Sequence, residues 1–166
     1  MKYQRFEDLP VWQDAIELAV RVFELTAQPV FRRYPGIRNQ MARAAVSISN
    51  NIAEGFERGT TAELLTFLYI SRGSCGETRS MLCLCERLIG FVDLRTEISD
   101  LKSRAESISR QLRAWADSLQ NSDIRGQRYL NDKSRRLAKA RKEREEFLEE
   151  LRQIREGKRP APDAGD

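Results

Sequence analysis

The sequence predicts an all-α protein, an antiparallel up-and-down four-helix bundle with a charged, helical C-terminal extension. Four consecutive stretches carry apolar residues at helical spacing. The connections between them are short, and only 9 Gly and 5 Pro occur among 166 residues. Because short connections join antiparallel neighbours, the four stretches should form one bundle. We expect the bundle over residues 1–122 and the extension over 123–166, helical to about residue 156 and disordered beyond it.

The first helix is predicted from Pro10 to about Ala27, with Asp8 as its N-cap. It carries two adjacent apolar rows. The first row is Trp12, Ile16, Ala19 and Phe23, and the second row is Ala15, Leu18, Val22 and Leu25. Together they are wider than a surface helix of a monomer needs. Either this helix is deeply enclosed, or its second row meets another chain.

The second helix, over residues 35–58, has a polar row beside its apolar row. The apolar row is Ile37, Met41, Ala45, Ile48 and Ile52. The polar row, as we call it from here on, is Gln40, Arg43, Ser47, Asn51 and Glu54. Burying such groups without partners costs roughly 1–3 kcal/mol each, so they must face water or be paired. We expect them to be paired inside the protein, covered by sister helices and by neighbouring copies.

The third helix should begin at a capping box, Thr60 to Glu63, and extend to about Ile89. Gly73 and Gly76 lie in its middle, where each costs on the order of 1 kcal/mol relative to Ala. Glycines at these positions are therefore expected where another helix approaches this one too closely for a larger side chain.

Antiparallel packing of the second and third helices would bring Ser71, Ser74 and Glu77 to the polar row, with Glu77 as the partner of Arg43. The favoured interpretation is a buried network that sets the helix register. The alternative is a polar pocket between the helices. The predicted network comprises Gln40, Arg43, Ser47, Asn51, Glu54, Ser74 and Glu77.

The fourth helix, capped by Asp93, shows an apolar row without interruption. Its members alternate steps of four and three: Leu94, Ile98, Leu101, Ala105, Ile108, Leu112, Trp115 and Leu119. This pattern predicts an amphipathic helix on the outside of one bundle.

The extension follows a break at residues 121–126 and is unevenly charged. Residues 128–144 hold eight Lys and Arg against two acidic residues, a net charge of +6. A weak heptad runs through Leu130, Leu137, Ala140, Phe147, Leu151 and Ile154. The basic half either lies along nucleic-acid phosphates or forms a solvated single helix.

Candidate nucleic-acid-binding residues occur in two places. The connection between the first two helices contributes Arg32 and Arg33, and Arg38 follows; the favoured interpretation of this connection is a solvated loop. The extension contributes Arg128, Lys133, Arg135, Arg136, Lys139, Arg141 and Lys142.

The composition argues against most enzyme classes. The absence of histidine removes the usual general base, most zinc sites and the di-iron bundle sites. We therefore expect no catalytic residues, no metal, no cofactor and no small-molecule substrate. An enzyme using Arg43, Ser47, Glu54 and Glu77 is the remaining alternative.

The cysteine content and the hydropathy pattern indicate the compartment. Three cysteines, an odd number within one predicted helix, favour small core residues of a reducing compartment. The sequence shows no signal peptide and no apolar run of membrane-spanning length. We expect a soluble, cytoplasmic protein without a membrane partner.

Several segments together carry a resemblance to a known family. They are Leu9-Pro10-Val11-Trp12, Gly36-Ile37 with Gln40, Ser47-Ile48-x-x-Asn51-Ile52-Ala53-Glu54-Gly55 with Arg58, and Gly73-Ser74-x-x-Glu77. Over about residues 6–120 the chain resembles a bacterial family of four-helix-bundle proteins. That family includes the product of the intervening sequence in some 23S ribosomal RNA genes and the accessory variability determinant (Avd) of diversity-generating retroelements. Arg32 and Arg33 depart from the more acidic character expected there.

The resemblance implies a homopentamer of bundles arranged as a barrel, without catalytic activity. It also implies binding of RNA or DNA, or of protein, including for Avd the retroelement's reverse transcriptase and its RNA. We therefore expect a non-enzymatic, homo-oligomeric nucleic-acid-binding accessory protein of the Avd type. The alternative is a 23S rRNA intervening-sequence protein that acts as a structural adaptor.

Overall fold

The computed structural model describes residues 3–121 and 132–156, the latter without the side chains of residues 132–139, 141, 142 and 154. These residues form five α-helices: α1 Pro10–Thr26, α2 Pro35–Glu57, α3 Thr61–Cys85, α4 Arg95–Gln120 and α5 Asp132–Arg155. Short 3₁₀ turns lie at Phe6–Asp8, Pro29–Arg33 and Val92–Leu94. The all-α class predicted from the sequence is confirmed.

The chain divides into two compact units, Met1–Arg128 and Tyr129–Asp166. The predicted boundary after residue 122 lies outside the described residues, as do residues 157–166, for which we predict disorder. The first unit contains α1 to α4, and the second contains α5.

Helices α1 to α4 form an up-and-down bundle in which each helix packs on two others. Helix α1 contacts α2 and α4, and α3 contacts the same two helices. Helices α1 and α3 therefore lie on opposite corners. The core consists of aliphatic and aromatic side chains with almost no exposed surface, such as Leu18, Ile48, Leu68, Leu82 and Leu101.

The two apolar rows of α1 have different surroundings. Ala15, Leu18, Val22 and Leu25, the second row, are buried in the core. The first row is open only in part: Ile16 is 37% exposed and Phe23 52%, with Val20 beside them at 48%, whereas Trp12 is half-buried and Ala19 is buried. The second row is thus enclosed within one chain, and the outward-facing apolar residues of α1 are Ile16, Val20 and Phe23.

The ends of three helices differ from the prediction. Asp8 lies in a 3₁₀ turn and Leu9 takes the N-cap position of α1, without a side-chain cap. Helix α3 ends at Cys85 rather than near Ile89, and α4 begins at Arg95 with Leu94, not Asp93, at its N-cap.

The connection between α3 and α4 explains the early end of α3. Here the chain turns inward so that Phe91, 1% exposed, packs edge-to-face on Phe31 with ring centroids 5.0 Å apart. Gly90, at φ +99°, supplies the left-handed backbone conformation that the turn requires.

The start of α3 follows the predicted capping box. The backbone N–H of Glu63 donates to the Thr60 hydroxyl at 3.2 Å, and this hydroxyl donates to the Glu63 carboxylate at 2.7 Å. The carboxylate thus returns to the hydroxyl of the capping residue.

Candidate functional site

The contact between α2 and α3 is tight and hydrogen-bonded on its inner side. The Ser71 hydroxyl donates to the Ile48 carbonyl at 2.9 Å, and the Ser74 hydroxyl donates to the Ser47 hydroxyl at 2.9 Å. Gly55 lies where a Cβ atom would come 2.7 Å from Cβ of Phe67. The close approach of the two helices therefore depends on Gly55.

The polar row lies on the surface of the protomer, so the sister helices of one chain do not cover it, and its cover by neighbouring copies stays a prediction. Gln40, Arg43 and Glu54 are exposed, while Ser47 and Asn51 are half-buried. The reason is that the inner face of α2 is already filled by its apolar row, so the neighbouring row falls outside the core. Asn51 completes a local bond, donating through Nδ2 to the Ser47 carbonyl at 2.6 Å and to its hydroxyl at 2.9 Å.

The partners within the predicted network also differ from expectation. Glu77 accepts a hydrogen bond from Gln40 Nε2 at 3.0 Å, and not from Arg43. Glu54 pairs with Arg58 at 2.5 Å, one turn further along α2, and this hydrogen bond raises the pKa of Arg58. Within residues 3–121 and 132–156, Arg43 has no ion-pair partner.

Arg43 lies between two open depressions on the face of α2. One has a volume of about 510 Å³. Its lining consists of Gly36, Asn39, Gln40, Arg43, Ala44, Ser47 and Glu77. The second extends towards α1 and includes Phe23, Val46 and Glu54. Both are grooves of the surface: the first is lined mainly by polar side chains, and the second combines polar side chains with the apolar side chains of Phe23, Ala42 and Val46.

The outward side of α3 is open as well. A Cβ atom added at Gly73 or Gly76 would meet nothing within 4 Å, so the predicted close approach at these glycines does not occur within the protomer. Tyr69, Ile70 and Leu84 flank them and are 43%, 47% and 39% exposed. We call this side of α3 the α3 stripe, and Ile16, Val20 and Phe23 the α1 stripe.

A cluster of arginines lies at one end of the bundle. Arg32, Arg33 and Arg38 are exposed, and none of them has an ion-pair partner in the described part of the chain. The ring contacts of Phe91 with Phe31 and with Tyr34 hold the α3–α4 connection at the same end.

This connection adds two exposed arginines that the sequence analysis missed. Arg87 follows α3, and Arg95 opens α4. Arg87 Nη1 donates to the Cys83 carbonyl at 2.8 Å. The signal that would have found them is the antiparallel topology, because it brings the α1–α2 and α3–α4 connections together. We call Arg32, Arg33, Arg38, Arg87 and Arg95 the basic end.

The candidate residues of the extension are only partly described. Arg128 lies outside the described residues. Helix α5 includes the positions of Lys133, Arg135, Arg136, Lys139, Arg141 and Lys142, but their side chains lie outside the described part. Their contact with nucleic acid stays a prediction.

The cysteines and carboxylates of the described residues form no group that could hold a metal ion. Burial raises the pKa of the Cys75 thiol to about 12 and that of Cys85 to about 11. Both thiols are thus protonated at neutral pH and pack as small core residues. Among the described helices, none has the length and apolar character needed to cross a bilayer.

The fold and the surface together define a class of protein: a small helical bundle with open apolar stripes, a polar groove and a basic end. The chain matches the 23S rRNA-intervening sequence protein family over residues 7–114. This match covers most of the chain, and the protein belongs to that family. No curated protein matches the chain.

Proposed function

We propose that this protein is a non-enzymatic, homo-oligomeric nucleic-acid-binding protein of the cytoplasm. The observation that carries the proposal is the basic end, where two separate connections of the bundle and the helix starts that follow them contribute five exposed arginines. Arginine side chains without carboxylate partners are suited to contact phosphate oxygens.

Two unequal surfaces support self-association. The α1 stripe is apolar, and the α3 stripe combines apolar side chains with glycines that leave room for another helix. Because α1 and α3 occupy opposite corners, contact of one stripe with the other would join copies head to tail. Such contacts close into rings when the rotation between copies permits it. The resemblance stated above specifies a pentamer.

A ring of copies would repeat the basic end around one axis. Several arginine clusters on one face would bind a phosphate backbone more tightly than one cluster does, since the contacts are multivalent. The basic half of α5 would add further positive charge. Binding of this kind is strongly dependent on salt, because it releases counterions from the nucleic acid.

A second candidate function is that of a structural adaptor encoded by an intervening sequence; the family match supports the intervening-sequence origin, and the adaptor role is our proposal. In that case the α1 and α3 stripes and the grooves on α2 would bind protein, and the basic end would have no part in binding. The partnership with a reverse transcriptase and its RNA belongs to the Avd branch and rests on the resemblance alone.

The test compares RNA binding by the purified chain and by an Arg32→Glu/Arg33→Glu variant across a salt titration. We expect weaker binding and a smaller salt slope, by about 0.7 for each lost contact with single-stranded RNA. The matched control is Arg110→Glu/Arg113→Glu, which changes the charge equally at exposed arginines of α4. Native mass spectrometry of the same samples would give the assembly with and without RNA.

Three outcomes would count against the proposal. Unchanged RNA binding by the Arg32/Arg33 variant would show that the basic end does not contact RNA. Equal weakening by the α4 control would show that only the overall charge of the protein matters. A protein that stays monomeric at all concentrations would show that it does not self-associate.

A further inference from the structure

The connection between α3 and α4 presents two apolar side chains at the basic end. Ile89 is 87% exposed and Val92 is 61% exposed, more than any other large apolar side chain of the described residues. We call these two residues the apolar tip. Single exposed aliphatic residues are common on protein surfaces, but two that project from one short turn can form a joint contact surface.

The turn holds the apolar tip outward because its other residues are fixed inward. Phe91 packs on Phe31 and on Tyr34, with ring centroids 5.0 and 5.8 Å apart. Gly90 lies so close to Val30 that a Cβ atom added to it would come 3.2 Å from Cγ2 of that valine. The position of the tip is thus set before any ligand binds, which lowers the entropic cost of binding.

Positive charge surrounds the apolar tip. Arg87 precedes it in the sequence and Arg95 follows it, and both are exposed. Of the carboxylates in the two connections, Glu86 binds Lys102 at 2.7 Å, and Asp93 is exposed. The five arginines of the basic end therefore face one exposed carboxylate from these connections. A ligand that fits this end combines negative charge with an apolar surface.

We propose that the basic end binds unpaired RNA, with its arginines on the phosphates and the apolar tip on the faces of the bases. This inference rests on the proposed nucleic-acid binding and adds the class of ligand. An unpaired strand offers phosphates and open base faces together. In a duplex the base faces are stacked on one another, and the deep, narrow major groove of an RNA helix excludes side chains. Guanidinium planes also stack on bases, so an arginine beside the tip can extend the same contact.

The aromatic rings of this end favour RNA over an anionic membrane, which also combines negative charge with apolar groups. Proteins are typically anchored at a membrane interface by Trp and Tyr side chains. Here Phe31 and Phe91 are buried, and Tyr34 is half-buried against Phe91. Two aliphatic side chains are left to enter a bilayer, whereas a base face is covered by one such contact.

Anisotropy titrations of the full-length chain test the proposal with a fluorescein-labelled RNA strand and with the blunt duplex that it forms with its complement. The wild-type chain should bind the strand more tightly than the duplex. Ile89→Ser/Val92→Ser should weaken binding to the strand by about tenfold, because two apolar contacts are lost, and should change binding to the duplex by less than about twofold. The salt slope for the strand should stay the same, because no phosphate contact is lost.

Three further variants complete the test. Leu148→Ser, the control, removes an aliphatic side chain of α5 that is 52% exposed, and it should bind both RNAs as the wild-type chain does. Ile89→Leu keeps an apolar side chain at the tip and should retain the preference for the strand. The single variant Ile89→Ser repeats the test at the more exposed position. Because these side chains are exposed, urea unfolding followed by circular dichroism should give the same stability for all variants.

Equal losses for strand and duplex would overturn the proposal, and so would unchanged binding of the strand by the serine variant. Vesicles of phosphatidylserine and phosphatidylcholine give a further check. Vesicle binding that depends on the apolar tip, together with RNA binding that does not, would assign the tip to a membrane and overturn the proposal.

The Arg32→Glu/Arg33→Glu variant separates this inference from the proposed function. If that variant weakens RNA binding and the serine variant does not, the basic end binds RNA and the apolar tip has no part in it. If neither variant changes RNA binding, the proposed function fails together with the inference.

Discussion

The two sides of α3 are built from similar residues but have opposite surroundings. On the inner side, Leu68 and Ser71 have no exposed surface, and the serine hydroxyl is bonded to α2. On the outer side, Ile70 is 47% exposed and Gly73 faces open space. One side of the helix is therefore complete within the protomer, while the other is open and is the surface that we propose as an interface.

The same contrast separates two kinds of glycine. Gly55 of α2 is required by the protomer itself, because α3 leaves no room for a Cβ atom there. Gly73 and Gly76 have room for one, yet helix interiors favour alanine by about 1 kcal/mol. Gly73 and Gly76 thus lower the stability of α3 and gain no compensating contact inside the protomer, which favours a contact with another chain at these positions.

The largest expected effect on stability comes from truncating one side chain on each side of α3, Leu68 on the inner side and Ile70 on the outer side. Leu68→Ala should lower the free energy of unfolding by about 2–5 kcal/mol, because it leaves a cavity in the core. Ile70→Ala, two residues away, should cost a small fraction of that in the protomer. Urea unfolding followed by circular dichroism measures both.

Sedimentation should show the reverse order for these two variants. Ile70→Ala should shift the assembly towards smaller species at a given concentration, because it removes part of the α3 stripe. Equal losses of stability from both variants would mean that the two sides of α3 do not differ as described.

A smaller effect, with opposite signs, is expected from adding one methyl group to each kind of glycine. Gly55→Ala should destabilise the protomer by about 1–3 kcal/mol, because Phe67 must move. Gly73→Ala should stabilise it by up to about 1 kcal/mol and weaken the assembly. Denaturant unfolding at low protein concentration gives the sign for each variant, and a destabilised Gly73→Ala protomer would contradict the open surroundings of that residue.

The smallest effect concerns the ion pairs that connect α1 with α4. Arg21 binds Glu97 at 2.6 Å and also binds Asp100, and its hydrogen bond lowers the pKa of Asp100. A lowered pKa in the folded state means that this contribution is present above the ordinary Asp value and is lost as the pH falls through the folded value.

Asp100→Asn should therefore lower the melting temperature slightly at pH 7, and by less as the pH falls below the ordinary Asp value. Asp117→Asn, which removes only a weaker pair with Arg113 at 3.6 Å, serves as the control. A pH-independent change would show that the charge of Asp100 does not contribute. Because both carboxylates are largely exposed, this effect tests the outer surface and not the core.

Much of the bundle could be predicted because its signals are local. Helical spacing identified four amphipathic helices, and the capping box at Thr60 identified the start of α3. The spacing also predicted two apolar rows on α1. It could not say which row is enclosed, because that depends on how α1 rotates against α2 and α4.

The candidate site was predicted less completely, for the same reason. The residues of the polar row were identified, but not that the row lies on the surface of the protomer, and the predicted pairing of Glu77 with Arg43 was wrong, since Glu77 binds Gln40. Arg87 and Arg95 were missed at the basic end, since they come close to Arg32 only through the antiparallel return of the chain.

The sequence by itself determined which stretches are helical, which side chains are apolar at helical spacing, and which family the chain resembles. These follow from interactions between residues three and four positions apart, which any helix brings together. The tertiary structure decided which apolar row is core and which is surface, and which polar groups meet. Both depend on the rotation of each helix about its axis, and that rotation is set by packing between residues distant in the chain.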